Sequence, residues 1–120
     1  MANKSRMLDP VIHEPARLTI ITILRYVEAA EFPFLLRETG LTNGNLVSHM
    51  RRMEMAGYVS VTKTFKGRRP CTTYRLTPLG VKRYDEYRAA VRSLVNRARS
   101  LMRRTGSSSG STHPSIEAVH

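Results

Sequence analysis

The sequence TNGNLVSHMRRMEMAG, residues Thr42 to Gly57, decides how the rest of the chain is interpreted. Thr42 suits the N-cap of a helix because its hydroxyl can accept a hydrogen bond from an unpaired backbone N–H, and Gly57 suits the left-handed residue that ends a helix. Leu46, Met50 and Met53 recur at helical spacing between them, which predicts one narrow apolar face.

The opposite face of this predicted helix is polar and basic. It carries amide, hydroxyl and guanidinium groups, which can hydrogen-bond base edges and phosphates in the major groove of DNA. The residues concerned are Asn43 and Gly44 in the opening turn, followed by Asn45, Ser48, Arg51 and Arg52. A solvated face on an ordinary amphipathic helix explains the same pattern, so the neighbouring segments must decide between the two interpretations.

Composition narrows the class of protein. The chain has 120 residues, of which 41% are hydrophobic, and this fits one domain with a small core. Lys and Arg total 20 against 9 Asp and Glu, and this excess favours an anionic partner, most often nucleic acid and less often a membrane surface. The longest apolar stretch, residues 18–24, is too short to span a bilayer, and residues 1–8 lack a signal-peptide pattern. We therefore expect a cytoplasmic protein.

Residues 1–8 are predicted to form a flexible basic arm, and a helix is predicted from about Pro15 to Ala30. Asp9-Pro10 and Glu14-Pro15 are both helix-start signals. The apolar residues of this helix occupy two faces, Leu18, Ile21 and Leu24 on one and Ile20, Ile23 and Val27 on the other. A helix that covers one core needs only one apolar face, so we infer that the second packs against another subunit or the C-terminal helix. A small core that wraps around the helix is the alternative.

A second, shorter helix is predicted over residues 34–39, ended by Gly40. Residues 31–34 precede it and suit a brief strand or an extended link. A short helix, a turn that contains glycine and a second helix with a polar exposed face are typical of a helix-turn-helix.

A basic β-hairpin is predicted directly after this motif. Residues 58–65 alternate apolar and polar side chains, residues 66–70 form a turn, and residues 71–76 return as the second strand. The turn carries Lys66, Gly67, Arg68 and Arg69. Such a cluster is usually only solvated, but after a helix that suits a DNA groove it is better interpreted as a wing on phosphates or in a minor groove.

The last predicted helix starts at Thr77-Pro78 and runs to near Arg103, roughly 35–40 Å at about 1.5 Å per residue. Its apolar positions are Val81, Tyr84, Tyr87, Val91, Leu94, Val95, Ala98 and Leu101. The helix is longer than one small domain needs, so its distal part should find a partner helix. Contact with an anionic membrane is the alternative for a basic amphipathic helix. Residues 105–120 are rich in Ser and Gly and are predicted to be disordered.

Catalytic and metal-binding patterns are not found. Cys71 is the only cysteine, so neither an internal disulfide nor a thiolate metal cluster can form within one chain. His13, His49 and Cys71 lie on different predicted elements, so we expect no metal site and no cofactor. The sequence has no glycine-rich phosphate loop, no acidic pair with metal-ligand spacing and no recognisable nucleophile, so an enzyme is not expected. The basic hairpin could make Cys71 redox-active, but a small apolar residue in a strand is the favoured interpretation.

Taken in this order, the segments resemble the winged helix-turn-helix transcriptional regulators of the MarR and ArsR types. The resemblance covers residues from about 10 to 90. It is carried by residues 12–18, 35–42, 44–50 and 53–59, and most specifically by Phe65-Lys66-Gly67-Arg68-Arg69-Pro70 with Tyr74-Arg75-Leu76-Thr77 and Gly80.

The resemblance implies an α+β, mostly α fold: a winged helix-turn-helix with a two-stranded wing and a long C-terminal dimerisation helix, over residues 9–104. It also implies a homodimeric regulator, more in keeping with a repressor, that binds double-stranded DNA sequence-specifically. Recognition helix 42–56 would enter the major groove, with half-sites about 34 Å apart, and wing 65–70 would contact the backbone or minor groove. The alternative is a winged helix that contacts protein or RNA, or binds nucleic acid without specificity.

The resemblance also implies roles for single residues. Thr42, Gly44, Asn45, Val47, Ser48 and Arg51 would face DNA, with Lys66, Arg68 and Arg69 on the wing. Val47 would touch a thymine methyl or be half-buried, and His49 would support the helix rather than read bases. The dimer surface would use Ile20, Ile23, Val27, Tyr84, Tyr87, Val91, Leu94, Val95 and Ala98. A small-molecule effector is conceivable, but no converging polar groups mark a pocket for one.

Overall fold

The computed structural model describes residues 8–105, and its elements follow the predicted order. They are α1 (Pro15–Val27), β1 (Ala30–Glu31), α2 (Phe32–Thr39), α3 (Asn43–Met55), β2 (Val59–Lys66), β3 (Arg69–Leu76) and α4 (Pro78–Thr105). The predicted arm, apart from Leu8, and the predicted tail, apart from Thr105, lie outside the described residues.

α1 begins at the predicted signal but ends earlier than expected. The Glu14 carboxylate accepts a hydrogen bond from the Arg17 backbone N–H at 2.7 Å, and Pro15 occupies the first turn. The Asp9-Pro10 signal forms only a single turn, closed by the bond from the His13 N–H to the Asp9 carbonyl at 2.7 Å. The helix ends at Val27 because Glu28 adopts a φ of 71°, after which Ala30 enters β1.

The core lies where α1, α3 and the proximal part of α4 meet the base of the sheet. Leu46, Met50 and Met53 are buried on α3, as the apolar spacing predicts. Ile20, Tyr84 and Tyr87 are also buried within the subunit. Their assignment to a dimer surface is therefore corrected, because a side chain enclosed in its own core has no surface left for a partner.

α4 of the same chain packs beside the face of α1 that carries Thr22 and Arg25, which is not the face of Ile20, Ile23 and Val27. The Thr22 hydroxyl lies 2.9 Å from the Tyr84 hydroxyl, and His13 Nδ1 lies 2.8 Å from the Tyr87 hydroxyl. Arg25 pairs with Asp85 at 3.2 Å on the exposed side. These contacts place both helices around one small core. Of the second face of α1, Ile20 is buried in that core, Ile23 is half-buried and Val27 is exposed.

The wing differs from the expected two-stranded form. β2 and β3 pair antiparallel from Val59↔Leu76 to Lys66↔Arg69, and β1 adds a third strand, giving the order β1-β3-β2. This third strand is only Ala30–Glu31, and its pairing with β3 involves residues more than forty positions away. Local sequence patterns do not contain such a pairing.

The tip of the hairpin is tighter than the predicted five-residue turn. Only Gly67 and Arg68 lie outside the strands. Gly67 has a φ of 63° whereas Arg68 has no positive φ, which is the pattern of a type II′ turn. Pro70 is tolerated in β3 because it lies beyond β1 and next to the closing Lys66–Arg69 pair, where an antiparallel ladder needs no N–H from it.

A hydrogen bond links the end of α3 to the start of α4. Gly57 has a φ of 81°, and its N–H and that of Tyr58 bond back to the carbonyls of Glu54 and Met53 at 2.9 and 3.0 Å, which forms a Schellman motif. Thr77 caps α4, since its hydroxyl accepts from the Gly80 N–H at 3.0 Å. The Thr77 hydroxyl also donates to the Gly57 carbonyl at 2.6 Å, and this bond connects the two helix ends.

Candidate nucleic-acid interface

α3 presents its predicted contact residues to solvent. The Thr42 hydroxyl accepts a hydrogen bond from the Asn45 N–H at 3.2 Å, which caps the helix at the predicted position. The exposed residues are Thr42, Asn43, Gly44, Asn45, Val47, Ser48, Arg51 and Arg52. Val47 is 39% exposed, so part of its side chain is accessible. The polar side chains of this face are therefore available to a ligand rather than used in the core.

His49 helps to hold α3 against α1. Its Nδ1 lies 3.2 Å from Arg17 Nη1 and 3.9 Å from Glu14 Oε1. Because a guanidinium can only donate, Arg17 is the donor in its contact with Nδ1. Arg17 is itself fixed by a 2.6 Å hydrogen bond from Nε to the Val11 carbonyl. These contacts link α3 to α1 and to the turn that precedes α1.

The wing contains an ion pair that sequence reasoning did not detect. Lys66 Nζ lies 2.6 Å from Glu31 Oε2, and both groups are exposed. The hydrogen bond and the opposite charge lower the pKa of Glu31 and raise the pKa of Lys66 relative to their ordinary values. The pairing Glu31↔Thr73 puts Glu31 on the sheet face that carries Lys66. Lys66 is thus partly neutralised, whereas Arg68 and Arg69 take part in no ion pair within residues 8–105.

A groove of about 340 Å³ separates α3 from the hairpin. Arg51 and Glu54 of α3 line one side of it, and Lys63 and Thr72 line the other. Burial and then the charge of Glu54 raise the pKa of Tyr74 in the groove wall. Sequence reasoning missed Lys63. The alternation of the strand was a usable signal, since it puts Lys63 on the same side of the sheet as Val61, and both face α3. A cation from the helix and one from the wing therefore border the same groove.

The distal part of α4 leaves apolar side chains exposed. Leu94 is 48% exposed and Met102 is 59% exposed, and Val95 and Leu101 are similar. Val91 is half-buried against the core and Ala98 is exposed. On α1, Ile23 is half-buried and Val27 is exposed. Of the residues predicted for dimerisation, those that keep surface outside the core are Ile23, Val27, Val91, Leu94, Val95 and Ala98.

Residues 8–105 hold no group of three or more His, Cys, Asp or Glu side chains arranged to bind a metal ion. Cys71 is half-buried, and its sulfur lies 3.9 Å from the Thr73 hydroxyl. Over the same residues, every helix is too short or too polar to cross a membrane.

Comparison with known proteins agrees with this geometry. An uncharacterized protein of Methanocaldococcus jannaschii is 29% identical over 77 residues, which are 64% of this chain and 84% of that protein. The structure of a transcriptional regulator homologue from Pyrococcus horikoshii is 27% identical, with a TM-score of 0.74 over 82% of this chain and 98% of that one. A protein of Enterococcus faecalis described as a MarR-family transcriptional regulator is 25% identical, with a TM-score of 0.60 over 80% of this chain and 83% of that one.

The family match covers the elements described above. The model of the winged helix DNA-binding domain matches residues 16–95, which include α1, the helix-turn-helix, the wing and most of α4. The structural neighbours are MarR-family transcriptional regulators, and this family and fold are those of regulators rather than enzymes. The chain belongs to the family of winged helix DNA-binding domains.

Proposed function

We propose that this protein is a transcriptional regulator that binds double-stranded DNA sequence-specifically as a homodimer. The observation that carries the proposal is the exposed polar face of α3, where Asn45, Ser48 and Arg51 are accessible on a helix fixed by its cap and by the His49 contact. Amide and guanidinium groups discriminate bases by paired hydrogen bonds in the major groove. Repression is the favoured outcome because occupancy of a promoter is sufficient for it.

The wing has a different part in the proposal. Arg68 and Arg69 stand at the tip of a hairpin whose outermost residues, 65–66 and 69–70, are exposed. Charges on such an extension contact phosphates or enter the minor groove, and these contacts position the domain without distinguishing most sequences. Lys63 borders the groove between α3 and the hairpin, which suits it to the backbone between the two grooves of DNA.

The homodimer is proposed from the exposed apolar residues of distal α4. Leu94, Val95 and Met102 continue the line of Tyr84 and Tyr87 beyond the end of the core. Exposed apolar residues at helical spacing are stabilised when they pack against a second helix. Two copies joined in this way would present two α3 helices to successive major grooves, with half-sites about 34 Å apart.

Selection of binding sites from random duplexes tests the proposal. We expect an enriched, nearly palindromic sequence that binds on the order of 10³-fold more tightly than a scrambled duplex at equal salt. If no sequence is enriched, and affinity follows only salt concentration and polymer charge, then the chain binds nucleic acid without specificity and the proposal is wrong. Preference for RNA over every duplex in the pool would also overturn it.

A further inference from the structure

The distal half of α4 is unusually rich in arginine. Residues 88–105 contain six Arg and no Lys, Asp or Glu. The six are Arg88, Arg92, Arg97, Arg99, Arg103 and Arg104, and all are exposed. Arg88 donates to the Tyr26 hydroxyl and Arg97 to the Ser93 hydroxyl. None of the ion pairs within residues 8–105 involves these arginines, so the molecule does not neutralise them from its own described carboxylates.

Most of these charges flank a stripe of small residues on one side of the helix. Ala89, Ser93, Asn96 and Ser100 follow one another at steps of four, three and four, so they lie on a single face. With Arg92 and Arg97 they line a shallow depression of about 380 Å³. The small side chains let a ligand approach the helix closely, and arginines border the stripe on both sides. We call this surface, formed by these six residues, the arginine face.

The arginine face lies on the opposite side of α4 from the apolar residues. Successive helix positions are separated by about 100°, which puts Ser93 and Ser100 roughly half a turn away from Ala98 and Met102. Self-association centred on Ala98 and Met102, with Leu94 and Val95 on its two margins, would therefore leave Ser93, Asn96 and Ser100 in solvent. A dimer would also bring twelve of the distal arginines together, which raises the repulsion that an anionic partner would relieve.

The side chains themselves indicate the chemistry of that partner. Arg gives paired, planar hydrogen bonds to phosphate oxygens, and Ser and Asn add hydroxyl and amide contacts to the same groups. Arg88 with Arg92, and Arg99 with Arg103, are like charges four positions apart, an arrangement that weakens a helix unless something anionic lies beside it. A phosphodiester backbone supplies regularly spaced charge along this line.

Two other anionic partners fit less well. A helix that lies on a membrane inserts an apolar face of Trp, Phe or Leu, and in the proposed dimer Leu94 and Met102 are covered by the partner helix instead. Single-stranded nucleic acid is bound largely by stacking on aromatic side chains. Residues 88–105 have no aromatic residue. Duplex DNA needs neither, because its backbone is bound by charge and hydrogen bonding alone.

We propose that the arginine face is a second DNA-contact surface, which binds the phosphate backbone of a duplex segment other than the one that α3 reads. This inference rests on the proposed function in one respect: it takes α3 to be the first surface that contacts DNA. A dimer with two recognition helices and two arginine faces could hold two duplex segments at once.

The test is a capture experiment with the full chain. A palindromic operator is immobilised and saturated with protein, and a labelled duplex of unrelated sequence is added. Because the operator occupies both recognition helices of a dimer, capture of the labelled duplex reports another surface. We expect capture by the wild type and a loss of several-fold or more in Arg92→Gln/Arg97→Gln. Arg97→Gln/Arg104→Gln, on one margin of the same face, should show a similar loss.

The control Arg25→Gln/Arg83→Gln removes the same formal charge from the proximal region, where both arginines are paired with carboxylates. It should capture the labelled duplex as the wild type does. Removal of two phosphate contacts should also lower the slope of log K against log salt by about 1.8 for the unrelated duplex, at about 0.9 per contact. Operator selectivity should be unchanged in all three variants.

Three results would overturn the inference: no capture by the wild type, equal loss in the control, or preferential binding of anionic vesicles or RNA at this face. Failure of the proposed function would be recognised separately. It would appear as absent operator selectivity in the wild type, and in that case salt slopes measured on any duplex still decide whether Arg92 and Arg97 bind DNA.

Discussion

The backbone of Tyr58 passes so close to Gly80 that a Cβ on Gly80 would lie 3.0 Å from the Tyr58 carbonyl carbon and would overlap the carbonyl oxygen. Tyr58 follows α3 and Gly80 lies in the first turn of α4, so this approach fixes the start of α4 against the end of α3. Both segments belong to rigid backbone, and neither can move aside as a flexible side chain would.

Gly80→Ala is therefore expected to destabilise the fold by about 1–3 kcal/mol, the usual cost of overpacking a filled site. Thermal unfolding followed by circular dichroism would measure the effect. Gly44→Ala is the matched control: Gly44 lies in the first turn of α3 with no atom within 4 Å of an added Cβ. Since Ala is favoured over Gly in a helix by about 0.5–1 kcal/mol, this variant should be slightly more stable. Equal midpoints for the two variants would show that the close approach is not rigid.

Asn45→Ala and Arg51→Ala are expected to reduce discrimination between the operator and a scrambled duplex by about tenfold to a hundredfold each, because each removes hydrogen bonds to base edges. Arg68→Ala should weaken binding to both duplexes by the same factor, because a phosphate contact carries no sequence information. Competition binding at fixed salt measures both ratios. Similar ratios for Asn45→Ala and Arg68→Ala would contradict the assignment of separate roles to α3 and the wing.

Glu31→Gln is expected to strengthen binding to random duplexes. It should also steepen the slope of log K against log salt by about 0.9, which is the contribution of one phosphate contact. The Glu31 carboxylate now holds Lys66 Nζ at 2.6 Å, and the neutral amide would release that charge to DNA. Glu86→Gln is the control, since Glu86 pairs with Arg83 on α4, away from the wing tip. Unchanged affinity in Glu31→Gln would mean that Lys66 does not reach DNA.

The same ion pair predicts a direction for pH dependence. Lys66 lowers the pKa of Glu31, so in the folded protein the Glu31 carboxylate stays ionised at pH values below the ordinary pKa of a glutamate. The stability that the pair contributes is fully present at pH values above the pKa of Glu31 in the unfolded chain. It is lost as pH falls through the pKa of Glu31 in the folded protein. Glu31→Gln should therefore reduce the difference in stability between neutral and acidic solution, as measured by denaturant unfolding at each pH. A difference identical to that of the wild type would argue against the pair.

Tyr58→Phe tests a contact just after the C-terminal end of α3. The Tyr58 hydroxyl donates to Asp9 at 2.5 Å, and burial, followed by the charge of Asp9, raises the pKa of Tyr58 to about 12. The hydrogen bond to a carboxylate should contribute about 1.5–3 kcal/mol. A raised pKa gives stability that is complete below pH 10 and is lost as pH approaches 12. Tyr58→Phe should be less stable at neutral pH and less sensitive to alkali, which denaturant unfolding would show. If Tyr58→Phe lost stability at high pH to the same extent as the wild type, the loss would come from the other tyrosines.

Leu94→Gln/Val95→Gln is expected to shift the protein from dimer to monomer, because it removes exposed apolar surface from distal α4. Truncation before Val91 should have the same result. Ser93→Gln/Asn96→Gln alters the opposite side of the helix and should leave the dimer intact. Sedimentation equilibrium measures the mass of each form. A wild type that sediments as a monomer, or a dimer that survives both changes, would remove this interface from the proposal.

Much of the fold was predictable because local chemistry specifies local structure. The Thr42 cap, the spacing of Leu46, Met50 and Met53, and the left-handed Gly57 define α3 from within a single stretch of chain. The alternation in the hairpin and the Thr77 cap do the same for the wing and for α4. The exposure of Asn45, Ser48 and Arg51 follows from the same periodicity, since the face opposite a buried stripe is the one that stays in solvent.

Only the tertiary structure decided features that join distant residues. The sequence contains Glu31 and Lys66 but not the sheet register that brings them within 2.6 Å, and it contains Arg17 and His49 but not the packing of α1 on α3. Ile20 was as apolar as Val27, yet one is enclosed in the core and the other is exposed. The physical reason is that helix and strand periodicity specify which residues share a face, whereas burial and ion pairing depend on which elements pack together in three dimensions.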